Sequence, residues 1–327
     1  MSAKRFASFL PLVALAAIVA CSDDDDTTNP STTPPTTTPP TTTPEAGTTT
    51  KDIVDTAAAT PSLSTLVGAV QAAGLVDTLK GTGPFTVFAP TNDAFGKLPS
   101  FLTTQLVTAP YKTELGLILK YHVLSGTVRA ADIAGKTSMP PTVAGGMLSV
   151  DGTGSGVTVN GSVNVTTADV EASNGVVHLV DGVLLPTIVD TAKGYDDGTT
   201  KFATLVGALT TAELAETLAG PGPYTVFAPS DAAFAKLPAG TLEGLSKTQL
   251  ANVLKAHVVS GAPAYRNTLA TGPVTTLNGQ VNVTVGASGV TLQAQGSSAA
   301  AANVVLADLP ASNGVVHVID AVILPPG

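Results

Sequence analysis

The chain has one cysteine, Cys21, and no tryptophan in 327 residues; only 4% of its residues are aromatic and 12% are charged. A lone cysteine forms no intramolecular disulfide, so any folded part must stand on packing alone. Scarce aromatics argue against a site of stacked rings. The 15 Lys and Arg are scattered and outnumbered by 24 Asp and Glu, and nowhere form the basic cluster that nucleic acid or anionic headgroups select. Nucleic acid is therefore not an expected partner. There is no His-Glu-x-x-His and no Gly-x-Ser-x-Gly elbow, and the Gly-rich stretches at 144–146 and 152–156 are not followed by a phosphate-holding Lys-Ser/Thr. No catalytic residue, metal site or cofactor is expected, and the chain reads as non-enzymatic.

What the N-terminus does have is a targeting pattern. Lys4 and Arg5 precede an apolar stretch of fifteen residues, Phe6–Ala20, broken only by Ser8 and Pro11. That is short for a bilayer span and suits a secretory segment, so residues 1–20 read as a signal peptide. The stretch ends Ile18-Val19-Ala20-Cys21, which resembles a bacterial lipobox and implies acylation of Cys21, a lipid anchor in a membrane. An ordinary signal peptide cut near Ala20 beside an incidental cysteine is the alternative. In the same resemblance Ser22, standing where Asp would retain the protein, implies the outer membrane or cell surface of a bacterial envelope.

Residues 21–50 read as a tether. Between Thr27 and Thr50 there are 13 Thr and 6 Pro and no large apolar residue, so the segment cannot bury enough surface to offset its ordering entropy. Extended at about 3.1 Å per residue it would span on the order of 80 Å.

The remainder is a duplication, with 44% hydrophobic residues overall to supply two cores. Ser173–Pro186 reads SNGVVHLVDGVLLP and Ser312–Pro325 reads SNGVVHVIDAVILP, 139 residues apart. Asn174-Gly175 and Asn313-Gly314 predict tight turns with positive φ ahead of strands buried on both faces. Leu63, Leu66, Val67 and Val70 recur at helical spacing, as do Phe202, Leu205, Val206 and Leu209. Phe85–Ala89 and Tyr224–Ala228 are short apolar strands ended by Pro90 and Pro229; Thr91 and Ser230 then suit the N-caps of helices that carry Phe95 and Phe234. A further helix runs through Leu115, Ile118 and Leu119 to His122, repeated by Leu250, Val253 and Leu254 to His257. Val/Thr/Gly-rich stretches follow, with strands expected at 147–150, 156–159, 163–166 and 281–285. Helices early and strands late make each unit α+β.

The four histidines, His122, His178, His257 and His317, all fall inside these motifs. Zinc held by a His pair with Asp181 or Asp320 is one reading. The preferred one is a buried imidazole bonded to backbone carbonyls, His122 also standing where a cation suits a helix C-terminus.

In order and spacing, Thr86–Pro90 with Phe95, Tyr121-His122, and Asn174–His178 with Asp181 resemble the fasciclin domain family. The second copy matches with Thr225–Pro229, Phe234, His257, Asn313–His317 and Asp320, and departs at Ala256, where the family often has Tyr. The resemblance covers residues 51–190 and 195–327. It implies two tandem domains, each a β-wedge or sandwich with several packed helices. It also implies adhesion to a matrix, glycan or protein partner, with Tyr121, His122 and the acid–aliphatic pairs Asp169-Val170 and Asp308-Leu309 as candidate contacts. For those pairs the alternative is structural: Asp ends a strand and the aliphatic fills the core. A different function, binding of a small apolar ligand in a cleft between sheet and helices, stays open beside adhesion.

Overall fold

The computed structural model describes residues 51–242 and 244–325, which belong to one compact unit; the expected signal peptide, Cys21 and the Thr/Pro tract lie outside the described residues. In the first half, helices α1 (Ile53–Ala58), α2 (Ser64–Ala73), α3 (Val76–Leu79), α4 (Asn92–Gly96), α5 (Ser100–Leu106), α6 (Lys112–Tyr121) and α7 (Ala130–Ile133) accompany seven strands. These are β1 (Phe85–Pro90), β2 (Val123–Ser125), β3 (Thr137–Ser138), β4 (Val150–Asp151), β5 (Thr158–Val159), β6 (Val163–Ala172) and β7 (Gly175–Val180), in sheet order β2-β1-β7-β6-β5-β4-β3.

The second half repeats the plan. Helices α8 (Ile188–Gly194), α9 (Ala203–Thr211), α10 (Ala215–Ala219), α11 (Asp231–Phe234) and α12 (Lys247–Lys255) accompany β8 (Tyr224–Pro229), β9 (Val258–Ser260), β10 (Gly272–Thr275), β11 (Gln280–Gly286), β12 (Gly289–Ala294), β13 (Ala302–Ala311) and β14 (Gly314–Ile319). Their order is β10-β11-β12-β13-β14-β8-β9. The pairs β1–β7 and β8–β14 are parallel and the others antiparallel. Each half is thus α+β, a mixed seven-stranded sheet with helices.

The central strands are buried on both faces, which is why their sequences do not alternate. Val87, Ala89 and Val177 face the helices, packing with Ile53, Leu66, Val70, Leu115 and Leu119. Phe88 and Val180 face the other way and share a second core with Leu148, Val150 and Val159. Val150 and Val159 come from strands several places away along the sheet at roughly 4.8 Å per place, so the sheet curls over this core. A double register shift in β6, between Val165 and Thr167 and again before Val170, supplies a bend. Thr91 Oγ1 accepts from Ala94 N and Ser230 Oγ from Ala233 N, both at 3.2 Å, the two expected N-caps.

Three expectations change. The hairpins form, but their turn residues are Ser173-Asn174 and Ser312-Asn313, and neither Asn has positive φ. Gly175 already belongs to β7, where a Cβ would collide with Phe85 O; the glycine is there for close strand approach. Of the stretch 147–150 only Val150 is in a ladder strand, Met147 making an isolated bridge to Pro141. Finally, α8 crosses residue 190, the expected end of the first unit. Ile188-Val189-Asp190-Thr191-Ala192 repeats Ile53-Val54-Asp55-Thr56-Ala57, and α8 packs in the second core with Leu205, Leu209, Val226 and Val316.

Candidate functional site

Asn174 and Asn313 organise one end of each unit through their side chains. Asn174 Nδ2 donates to Leu79 O at 2.8 Å and Gly81 O at 3.0 Å, while Oδ1 accepts from Ile53 N at 3.0 Å. Asn313 repeats this with Leu218 O, Gly220 O and Ile188 N at 2.7, 2.8 and 3.0 Å. The turn residue thereby pins the first helix and the loop entering the first strand.

All four histidines are buried and use both ring nitrogens on backbone groups. His122 Nδ1 lies 2.8 Å from Ile118 O, and its Nε2 accepts from Leu184 N at 2.9 Å; His257 does the same with Val253 O and Ile323 N. Since Nε2 is the acceptor, these rings are neutral with the proton on Nδ1. Burial pushes each down to about 4, so His122 is not the helix-capping cation expected from its place. His178 and His317 are the opposite tautomer. Nδ1 accepts from Asp169 N (3.1 Å) or Asp308 N (3.2 Å), and Nε2 donates to Val128 O or Ala264 O at 2.8 Å. Although the Asp carboxylates come within 4.0 and 3.8 Å of Nδ1, that nitrogen already takes a backbone proton, so these are not ion pairs. No imidazole lone pair is left for a metal, and no cluster of three metal-ligating side chains occurs among the described residues.

Asp169 and Asp308 stand at the bulges of β6 and β13 with φ of 57° and 62°. Neither ends its strand. Each carboxylate accepts a backbone hydrogen bond from the segment after the second strand of its unit, Asp169 from Ala130 N, the first residue of α7, at 3.0 Å and Asp308 from Arg266 N at 2.6 Å. Bulge, histidine and loop therefore form one bracket in each unit.

The two brackets differ in exposure. The Asp169 side chain is 35% exposed and that of Asp308 8%. The first unit covers the second bracket: Gln105 Nε2 donates to Ala307 O at 3.3 Å, and Phe101 packs on Tyr265. Tyr111 lies beside Asp308; burial, then the Asp308 charge, raises its pKa. Beside the first bracket, on the Arg129 side, lies an open groove of about 620 Å³ lined by Lys80, Thr127, Arg129, Glu171 and Ser173, with Asp169 and His178 outside its lining. Arg129 pairs with Glu171, and Lys80 with Asp55 and Asp52 at 2.8 and 3.2 Å, so its charges are mutually satisfied.

The other candidates are inside. Tyr121 is buried with its hydroxyl donating to Met147 O at 3.0 Å, and His122 and Leu309 are buried; Val170 is half-buried against the helix-side core. Tyr121 belongs to the opposite core from Val170, so sequence candidates are not gathered at one place. Arg129, Glu171 and Lys80 escaped the sequence reading because no motif marks them; the only signal was that the Arg129 position is Tyr265 in the second copy. The apolar cleft between helices and sheet exists beneath Leu66, Val70 and Val87, but it holds only about 30 Å³, and its counterpart about 20 Å³. A drug-sized ligand occupies roughly 300 Å³ or more.

Comparison with known proteins agrees with the internal duplication. The Fasciclin domain model matches residues 61–186 and 200–325. Protein sll1483 of Synechocystis sp. is 46% identical over 134 residues, 41% of this chain and 73% of that protein. Transforming growth factor-beta-induced protein ig-h3 of Sus scrofa is 30% identical over 249 residues, 76% of this chain but 35% of that protein. Periostin of Homo sapiens is 28% identical over 260 residues, 78% of this chain and 30% of periostin. The chain thus spans about a third of those two longer relatives. A FAS1 domain pair from the insect cell adhesion molecule fasciclin I covers 80% of this chain with a TM-score of 0.38 at 19% identity. With two matched domains spanning most of its length, the chain belongs to the fasciclin domain family.

Proposed function

We propose that the protein is a non-catalytic adhesive module, held to the bacterial envelope by a lipid on Cys21 and carried outward by the Thr/Pro tract. The observation that carries this reading is the unequal exposure of the two Asp brackets. Asp169 presents a carboxylate at an αL bulge beside a polar groove, and the same residue in the second copy is covered. The contact is polar: a matrix protein or a glycan that meets Asp169, Arg129 and Glu171, while Tyr121 and His122 stay in the interior. The use of all four histidines as backbone partners leaves no imidazole free to act as a general base.

The test is retention of cells on matrix protein and glycan surfaces. Asp169→Asn keeps the acceptor for Ala130 N and the αL preference but removes the charge; it should reduce retention, whereas Asp308→Asn should not. Equal behaviour of Asp169→Asn and wild type would end the proposal for this face. For the anchor, a radioactive fatty acid should label wild type and not Cys21→Ser.

A further inference from the structure

Glu114 is fully buried, and neither carboxyl oxygen has a hydrogen-bond partner among the described residues. It is the third residue of α6. Its counterpart in α12 is Gln249, which is exposed and closes a capping box with Ser246. Three residues on, Leu117 is buried where its counterpart Asn252 is exposed. The same face of the same helix is dry in one copy and wet in the other. What dries it is the start of the second domain: Leu117 packs into that core with Ile188, Ala192 and Tyr195, and a Cβ on Gly194 would strike it.

We propose that Glu114 is a proton-operated latch in the joint between the two domains: the joint closes over the protonated carboxyl and is released when the carboxyl ionises. The groups around it offer no counter-charge. From its own side comes Tyr111, and from the segment after α8 comes Tyr195, whose hydroxyl reaches Asp197 Oδ2 at 3.5 Å. Burial, then Asp197 and Glu114, raise the Tyr195 pKa. Arg266 and Asp308, on the second domain, act on Tyr111. The first turn of α6 contributes a fraction of a positive charge, which does not replace hydration.

Burial alone pushes Glu114 from the ordinary 4.5 up to about 8. Closing the joint raises this pKa, so the joint is strongest below pH 4.5 and weakens as pH rises. Past 8, closure would require a bare buried carboxylate. Release would also uncover Asp308, the bracket that the closed joint hides.

The test measures the distance across the joint. Val107 and Val305, both more than half exposed, flank Gln105 and Ala307. In the full chain with Cys21→Ser, Val107→Cys and Val305→Cys carry nitroxide labels. Pulsed dipolar spectroscopy at pH 5 should give one narrow distance, and at pH 9 a broader and longer distribution. Glu114→Gln, or Glu114→Met should the amide fail to fold, should stay narrow at both pH values. An unchanged distribution with Glu114 present, or equal broadening in the variants, would overturn the latch.

Discussion

Phe101 of the first domain meets Tyr265 of the second edge to face, with ring centroids 5.1 Å apart. Neither residue has an aromatic counterpart. Counted from the shared Leu-Pro pairs at 98–99 and 237–238, the match for Phe101 is Gly240; the bracket places Arg129 opposite Tyr265. The copies therefore diverge where they touch each other, and the outward-facing counterparts are small or charged. A double-mutant cycle of Phe101→Ala and Tyr265→Ala should give a coupling of about 0.5–1.5 kcal/mol in denaturant unfolding. A coupling near zero would mean that the rings do not meet in solution.

Asn313→Ala should cost more than Asn174→Ala. Both remove two donors and an acceptor from backbone groups, but Asn313 is buried and Asn174 half-buried, so water can replace more of the lost bonds around Asn174. About 2–4 kcal/mol is expected for Asn313→Ala, and less for Asn174→Ala. Equal melting shifts in the two variants would contradict this dependence on burial.

Gly314→Ala and Gly175→Ala should both disrupt their own domains. A Cβ on Gly314 would collide with Tyr224 O, and one on Gly175 with Phe85 O, inside the parallel strand pairs. Backbone on both sides leaves nothing soft to yield, so a loss of several kcal/mol is expected, on the order of the larger overpacking costs. Gly207→Ala, on α9 with open space around its Cβ, is the control and should be neutral or slightly stabilising. Circular-dichroism melts of the three variants decide it.

Much of this fold was legible because duplication states each element twice. The buried faces of α2 and α9, the capped helices after Pro90 and Pro229, and the strands β7 and β14 follow from local patterns. The Asn-Gly turns misled because the side chain of Asn, not its backbone freedom, was the feature in use; bonds to Leu79 and Ile53 are far away in sequence. Asp169 and Asp308 look identical on paper, and their difference arises only when Phe101 and Gln105 of the other domain arrive. Glu114 is hidden for the same reason: an acidic residue in a first helical turn reads as a solvated one until the start of the second domain packs against its helix through Leu117.

The histidines set the acid limb of stability. His122 and His257 each fall from the ordinary 6.5 to about 4 on burial, because a charged ring would lose water and the Leu184 or Ile323 donor would face a proton. A folded-state pKa below the unfolded one means that the unfolded chain binds the proton first. Stability is therefore complete above 6.5 and is lost as pH falls from 6.5 toward 4, by about 3 kcal/mol per histidine at the bottom of that window. Burial lowers His317 as well, which adds in the same direction. Glu114 works the other way, its contribution falling as pH rises from 4.5 to about 8. Denaturant unfolding at half-unit steps between pH 4 and 7 should show wild type losing stability more steeply than His122→Gln, which starts lower but cannot take up the proton. If the two curves run parallel across that window, His122 is not the group that titrates, and the neutral Nδ1-protonated ring assigned here is wrong.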